Sequence, residues 1–165
     1  MTNVNIAERE SDDAKPVDNS RDALALMSKA FYERYGDDAL PIIGDIWYRL
    51  GASAGRQLRA QLPSGDFRTV ATAWVERAKR HGIKMGTAKS KWEVSETLYR
   101  VTSSPGYQCS LGLNNAGRKL CEAVMLVDKA EFESATGREV DLRIDKSVAA
   151  GDVCCDVSIS VEEAI

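Results

Sequence analysis

The sequence has little of what most metal sites and disulfide frameworks are built from. It contains one histidine, His81, and its four cysteines form no Cys-x-x-Cys pair. A zinc site with two or three histidine ligands is therefore excluded within one chain. No apolar run approaches the roughly 18 residues that cross a bilayer, and the N-terminus is too polar and acidic for a secretory signal. We expect a cytoplasmic protein that has no membrane partner and keeps its cysteines reduced.

The chain also lacks an excess of positive charge, because its formal net charge is −3. Nucleic-acid-binding domains are usually basic. The single basic cluster here, from Arg77 to His81, closes a predicted helix, where cations interact favourably with the helix dipole. We therefore expect no nucleic-acid partner.

The composition is that of a globular domain. The 165 residues are 44% hydrophobic and 28% charged, which suits one domain with a core of its own. Residues 1–20 are polar and charged and show no periodicity, so we predict a flexible N-terminal arm there. A single domain over residues 21–165 follows.

Helical periodicity dominates the N-terminal half. Apolar residues recur every three or four positions over about 20–36, 38–61 and 67–81, which predicts three helices. Ser20 or Asp22 suits the cap of the first, and Pro41 suits the first turn of the second. The apolar stripe that we expect to be buried on the first helix consists of Leu24, Met27, Phe31 and Tyr35.

The second predicted helix is rich in glycine, which is costly inside a helix. Three glycines indicate either a close contact with another helix or room for a ligand: Gly44, Gly51 and Gly55. Trp47 and Tyr48 lie between them and are candidate ligand contacts.

The C-terminal half changes to strand-like alternation. We predict short strands at 83–85 and 92–99, a helix at 114–137, and a hairpin of two strands around a turn at 149–152. The fold class is α+β, with the helical N-terminal half and one further helix packed on a mostly antiparallel sheet.

The last strand places one cysteine at a candidate site. Cys155 alternates with the apolar residues of the strand, whereas Cys154 points the opposite way, towards solvent or a covering loop. Cys155 is either a core residue or a reactive thiol. Cys121, on the last helix, is interpreted as a core residue. The segment that carries Cys109 is a further strand or a loop that enters the site, and the roles of Cys109 and His81 stay open.

Two acidic residues interrupt apolar patterns. Asp128 shares a helix face with Cys121, Met125 and Phe132, and Glu96 shares a predicted strand face with Trp92. A buried carboxylate must be paired, or it takes up a proton at a raised pKa. Acid–base catalysis uses such groups. The alternative is an ordinary ion pair with one of three arginines: Arg100, Arg118 or Arg143.

The residues Leu126-Val127-Asp128, followed by Phe132, and the segment from Gly151 to Val157 carry a family resemblance. Over about residues 92–159 the chain resembles the L-2-amino-thiazoline-4-carboxylic acid hydrolases. The resemblance implies opening of a thiazoline ring to an N-carbamoyl amino acid, or hydrolysis of a similar C–N bond. Cys155 would be the nucleophile or hold the substrate.

The same resemblance suggests partners for that thiol. Asp128 would activate water or protonate the leaving nitrogen, assisted by Glu96. Backbone N–H groups near Gly151 and Asp152 would stabilise an oxyanion. Arg100, Arg118 or Arg143 would bind the substrate carboxylate. We predict no cofactor, although cysteine and carboxylate ligands leave a metal-assisted mechanism open.

A second interpretation is non-catalytic. The Gly-Asp…Cys strand is similar to that of small-molecule-binding domains of the 4-vinyl-reductase type. That similarity favours binding over catalysis. A sensor or carrier would hold a small apolar or metal-containing ligand between helices and sheet. The aromatic and glycine content of the second helix motivates this interpretation: Trp47, Tyr48, Gly51 and Gly55. The exposed strand edges and the helical N-terminal half also permit a homo-oligomer. A small molecule is the expected partner in both interpretations.

Overall fold

The computed structural model describes residues 17–85 and 90–162, and for residues 81–85 it describes the backbone alone. Most of the predicted arm, residues 1–16, lies outside this part. The helical half comprises α1 (Ser20–Tyr35), a 3₁₀ turn (Gly36–Ala39), α2 (Leu40–Gln61) and α3 (Phe67–Met85). The other elements are β1 (Lys91–Val94), β2 (Leu98–Thr102), α4 (Arg118–Val124), α5 (Leu126–Thr136), β3 (Asp141–Lys146), a second 3₁₀ turn (Val148–Ala150) and β4 (Asp156–Ser160).

The strands form one antiparallel sheet in the order β1-β2-β4-β3. The predicted α+β class and the hairpin of β3 and β4 are confirmed. Two strand predictions are wrong. Residues 83–85 continue α3, and the predicted strand 92–99 is a hairpin whose turn lies at 95–97. The turn has the same alternation as the strands on either side, so a pattern of period two does not reveal it.

The buried face of α1 also differs from the prediction. Met27 is 67% exposed and Phe31 is 38% exposed. The helix instead presents Ala25 and Ser28 to the protein, and Ser28 accepts a hydrogen bond of 2.9 Å from the Trp47 indole. This hydrogen bond joins α1 to α2. Asn19, rather than Ser20 or Asp22, caps the helix by accepting from the N–H of Asp22.

Helices α2 and α5 pack closely through glycines. A Cβ atom on Gly51 would lie 2.0 Å from the carbonyl oxygen of Val127, and one on Gly55 would lie 2.3 Å from that of Glu131. The predicted close helix contact is therefore confirmed. It fixes the position of α5, the helix that carries Asp128.

The predicted helix 114–137 is divided in two. Residues 114–117 are turns, α4 ends at Val124, and α5 begins at Leu126 after Met125, the residue between them. This break puts Asp128 in the first turn of α5.

The buried hydrophobic residues form two clusters. One packs α3 and α5 on the sheet through Phe67, Trp74, Tyr99 and Phe132. The other joins α1, α2 and α4 around Trp47, Leu120 and Val124. No helix in the described ranges combines the length and apolar character needed to cross a membrane.

Candidate functional site

A cavity of about 190 Å³ lies between the sheet and the helices. Strands β2, β3 and β4 form one wall, α4 and α5 form another, and the segment 103–113 contributes to a third. Most of its surface is apolar. The aliphatic side chains that line it include Val101, Leu113, Val124, Val127, Ile144 and Val157.

Asp128 and Arg21 form the charged end of this cavity. Asp128 comes from the first turn of α5, and Arg21 reaches it from the first turn of α1, with Nη2 3.7 Å from Oδ1. The Asp128 side chain is only 18% exposed. Burial raises the pKa of Asp128 to about 6; Arg21 and Arg77 act in the opposite direction, while Glu131 adds to the rise.

A second, outer cavity of about 370 Å³ is contiguous with the first, because both are lined by Arg21, Tyr99, Tyr107 and Asp128. Its other walls include Trp74, Arg77 and Trp92. The Asp128–Arg21 pair therefore lies where the inner and outer cavities meet.

Three thiols line the inner cavity: Cys109, Cys121 and Cys155. The Ser147 hydroxyl donates to Sγ of Cys121 at 3.2 Å, and the Val148 N–H donates to Sγ of Cys155 at 3.5 Å. Burial raises the pKa of Cys121 to about 11 and also raises the pKa of Cys155. All but a small fraction of these two groups is therefore neutral thiol at neutral pH, which makes them weak nucleophiles.

The predicted pairing of Cys155 with Asp128 in one cavity is found, and Glu96 is not part of it. Glu96 lies in the turn between β1 and β2 with its side chain 72% exposed, in an ion pair of 2.8 Å with Arg68. Cys154 is 8% exposed, so it does not face solvent.

Gly151 and Asp152 build the turn before β4 and do not line the cavity. Their N–H groups donate to the carbonyls of Val148 and Ser147, at 3.2 and 3.1 Å. The Asp152 carboxylate accepts from the N–H of Ser147 at 2.8 Å. Gly151, at φ +93°, occupies a conformation that favours glycine. Since both N–H groups are engaged within the turn, neither is free to stabilise an oxyanion.

The three arginines predicted to bind a carboxylate have other partners. Arg100 makes two hydrogen bonds to Asp156, at 2.8 and 2.6 Å. Arg118 binds Glu122 at 2.9 Å and also the carbonyl of Ile144. Arg143 is exposed and lies 3.7 Å from Asp145. None of the three lines either cavity.

Trp47 and Tyr48 also lie outside both cavities. Trp47 is fully buried, and the guanidinium of Arg21 lies 6.0 Å from the centre of its ring. Trp47 therefore helps to position Arg21 rather than contacting a ligand. The exposed Tyr48 donates to Glu133 at 2.8 Å.

Within residues 17–85 and 90–162, no group of three or more His, Cys, Asp or Glu side chains has the proximity needed to hold a metal ion. The three thiols therefore line the same cavity without lying close enough together to bind a metal ion.

No protein-family model and no curated protein matches the sequence. Among solved structures, the fold is similar to the phenol-responsive sensory domain of the transcription activator PoxR, determined with phenol. The TM-score is 0.56 and the identity 11%, over 89% of this chain and 77% of that one. A trafficking protein particle complex subunit 3 from Naegleria fowleri, covalently bound to palmitic acid, has a TM-score of 0.49 and 15% identity, over 87% of this chain and 95% of that one. At such identities the similarity to the PoxR domain establishes the fold alone.

Proposed function

We propose that this protein is a small-molecule-binding domain of the sensor or carrier type, which holds a compact apolar ligand in its inner cavity. The observation that carries the proposal is the cavity itself, about 190 Å³ of space with mainly apolar walls in the interior. Protein interiors are close-packed, and voids larger than a water molecule are few. A dry apolar cavity of about 150 Å³ accommodates benzene, so this one has room for a single six-membered ring.

The fold supports the same choice. The sensory domain of PoxR, which has a similar fold, was determined with phenol, and phenol is a ligand of the size that fits here. Fold does not by itself imply function, so the cavity carries the argument and the similarity adds to it.

The chemistry of the cavity also favours binding over covalent catalysis. Burial raises the pKa of the Cys155 thiol, and none of the groups that act on it in the described part of the chain is a cation. A nucleophilic cysteine needs a base or a cation that stabilises its thiolate.

The test is ligand-dependent thermal stability with phenol and toluene as probes. A ligand that binds only the folded state, at a free concentration 100 times its Kd, adds about 2.7 kcal/mol to the free energy of unfolding. Val101→Phe fills part of the cavity and should abolish the rise in Tm. Val153→Phe is the matched control, because Val153 is 68% exposed and lies outside the cavity. Equal ligand-induced shifts in both variants, or no shift in the wild-type protein, would contradict the proposal.

A hydrolase related to the thiazoline-opening enzymes is the second candidate, because Cys155 and Asp128 line one cavity. Consumption of 2-amino-thiazoline-4-carboxylic acid, lost in Cys155→Ser and retained in Cys154→Ser, would favour it. An unchanged concentration of the thiazoline over many hours would leave binding as the function.

A further inference from the structure

The Asp128 carboxylate lacks strong hydrogen-bond partners where it faces the cavity. Among the side chains that the structure describes, its one direct polar contact is Arg21 at 3.7 Å. A charge-assisted hydrogen bond between a guanidinium and a carboxylate is about 2.7–2.9 Å long, and an ionised carboxylate has about four acceptor positions. Asp128 is therefore an acceptor with unused capacity at a cavity wall.

Neither of the two cations near Asp128 makes a short contact with its carboxylate. Arg77 from α3 forms a 2.6 Å ion pair with Glu131, and its guanidinium lies 4.4 Å from the centre of the Trp74 ring. Arg21 is 44% exposed, and its guanidinium lies 6.0 Å from the centre of the Trp47 ring. A donor from a ligand would reach the carboxylate from the cavity side without displacing either contact.

The apolar walls and this acceptor together define a ligand. The inner cavity, with its volume of about 190 Å³, has room for one ring, and Asp128 lies at the end where that cavity opens to the outer one. We infer that the ligand is a compact ring compound with a hydroxyl or amino group, and that this group donates a hydrogen bond to Asp128. The inference rests on the proposed function. A carboxylate ligand would place a second negative charge beside Asp128, whereas Arg21 and Lys146 are cations in the same lining. Benzoate is therefore included in the test.

The experiment compares phenol with toluene, which has the same shape and lacks the donor, and with benzoate, by titration calorimetry at pH 8. Phenol should bind the wild-type protein about tenfold or more tightly than toluene, because a hydrogen bond to a charged group is a strong one. Asp128→Leu should bind toluene at least as well and lose the preference for phenol. Asp141→Leu is the matched control, since Asp141 is exposed and outside both cavities, and should keep the preference.

The outcomes separate the inference from the proposed function. If none of the three compounds binds, the proposed function fails. If toluene binds as well as phenol, or benzoate binds most tightly, the donor inference fails and ring binding stands. A preference for phenol that persists in Asp128→Leu also overturns it.

A second measurement covers the case in which Asp128→Leu does not fold. The ratio of phenol to toluene affinity is then measured on the wild-type protein at pH 8 and pH 5. The titratable and charged groups that interact with Asp128 are Arg21, Arg77, Glu131, Tyr99 and Cys121, and Glu131 is the carboxylic acid among them. The ratio should fall several-fold at pH 5, where Asp128 takes up a proton. An unchanged ratio overturns the inference.

Discussion

Asp128 should make the folded protein less stable as the pH rises. Burial raises the pKa of Asp128 from 3.8 to about 6, so the folded state binds this proton more tightly than the unfolded state. The stabilising contribution is full below about pH 4 and is lost as the pH rises through about 6. Two pKa units correspond to about 3 kcal/mol. We therefore expect Asp128→Asn to have a higher midpoint urea concentration of unfolding than the wild-type protein at pH 8. At pH 4 the two midpoints should be similar.

Urea denaturation at the two pH values measures this difference directly, because other carboxylates titrate equally in both proteins. Asp141→Asn, an exposed change, is the control and should behave like the wild type at both. A variant Asp128→Asn that is less stable than the wild type at pH 8 would mean that the Arg21 contact outweighs burial. If Asp128→Asn is more stable than the wild type at pH 8 and Asp128→Leu loses the preference for phenol, Asp128 serves binding at the expense of stability.

At the residue scale, periodicity identified part of the site. Cys155 and Asp128 were predicted from their places on an apolar strand and an apolar helix face, and both line the cavity. Glu96 was misplaced because a turn interrupts the strand pattern. Arg21 was not found, since nothing local in the first turn of α1 shows that its side chain reaches α5. That contact depends on how α1 packs beside Trp47.

At the element scale, the contact between α2 and α5 determines where Asp128 lies. Alanine in place of glycine normally stabilises a helix by about 1 kcal/mol. At Gly51 the added Cβ would lie 2.0 Å from the backbone of Val127, so the two helices must separate. We expect Gly51→Ala to lower the free energy of unfolding by about 3 kcal/mol, as severe overpacking does, and to weaken ligand binding because α5 carries Asp128.

Gly44→Ala is the matched substitution, about two turns earlier on the same face of α2. There the added Cβ would meet the flexible end of the Leu126 side chain at 3.0 Å, which can turn away. Chemical denaturation should show Gly44→Ala close to the wild type in stability. If Gly51→Ala is equally well tolerated, the two helices are not held at the distance described here.

The elements themselves were partly predictable. The helices of the N-terminal half and the β3–β4 hairpin follow from periodicity and turn residues. The exposure of Met27 and Phe31 on α1 could not be predicted in this way, because amphipathic spacing identifies an apolar face without showing what covers it. Self-association through such a surface stays a prediction.

At the scale of the whole molecule, the cavity is a cost that the fold carries. Side chains that line an unfilled space lose contacts with neighbouring atoms, so a cavity of about 190 Å³ lowers stability relative to a filled core. A ligand that fills the cavity recovers part of this loss, which couples occupancy to the stability of the surrounding helices and sheet. A sensor needs this kind of coupling.

Filling the cavity with protein atoms should separate stability from function. Val124→Leu and Val157→Ile each add one methylene at the wall of the inner cavity, and each buried methylene contributes about 0.8 kcal/mol. The double variant should therefore melt about 4 °C higher than the wild type without ligand, and phenol should raise its Tm less. Scanning calorimetry with and without phenol measures both effects. The contradicting result is a double variant that melts lower than the wild type and whose Tm phenol raises as much as it raises that of the wild type. The ligand would then lie outside the inner cavity, because filling this space would not affect binding.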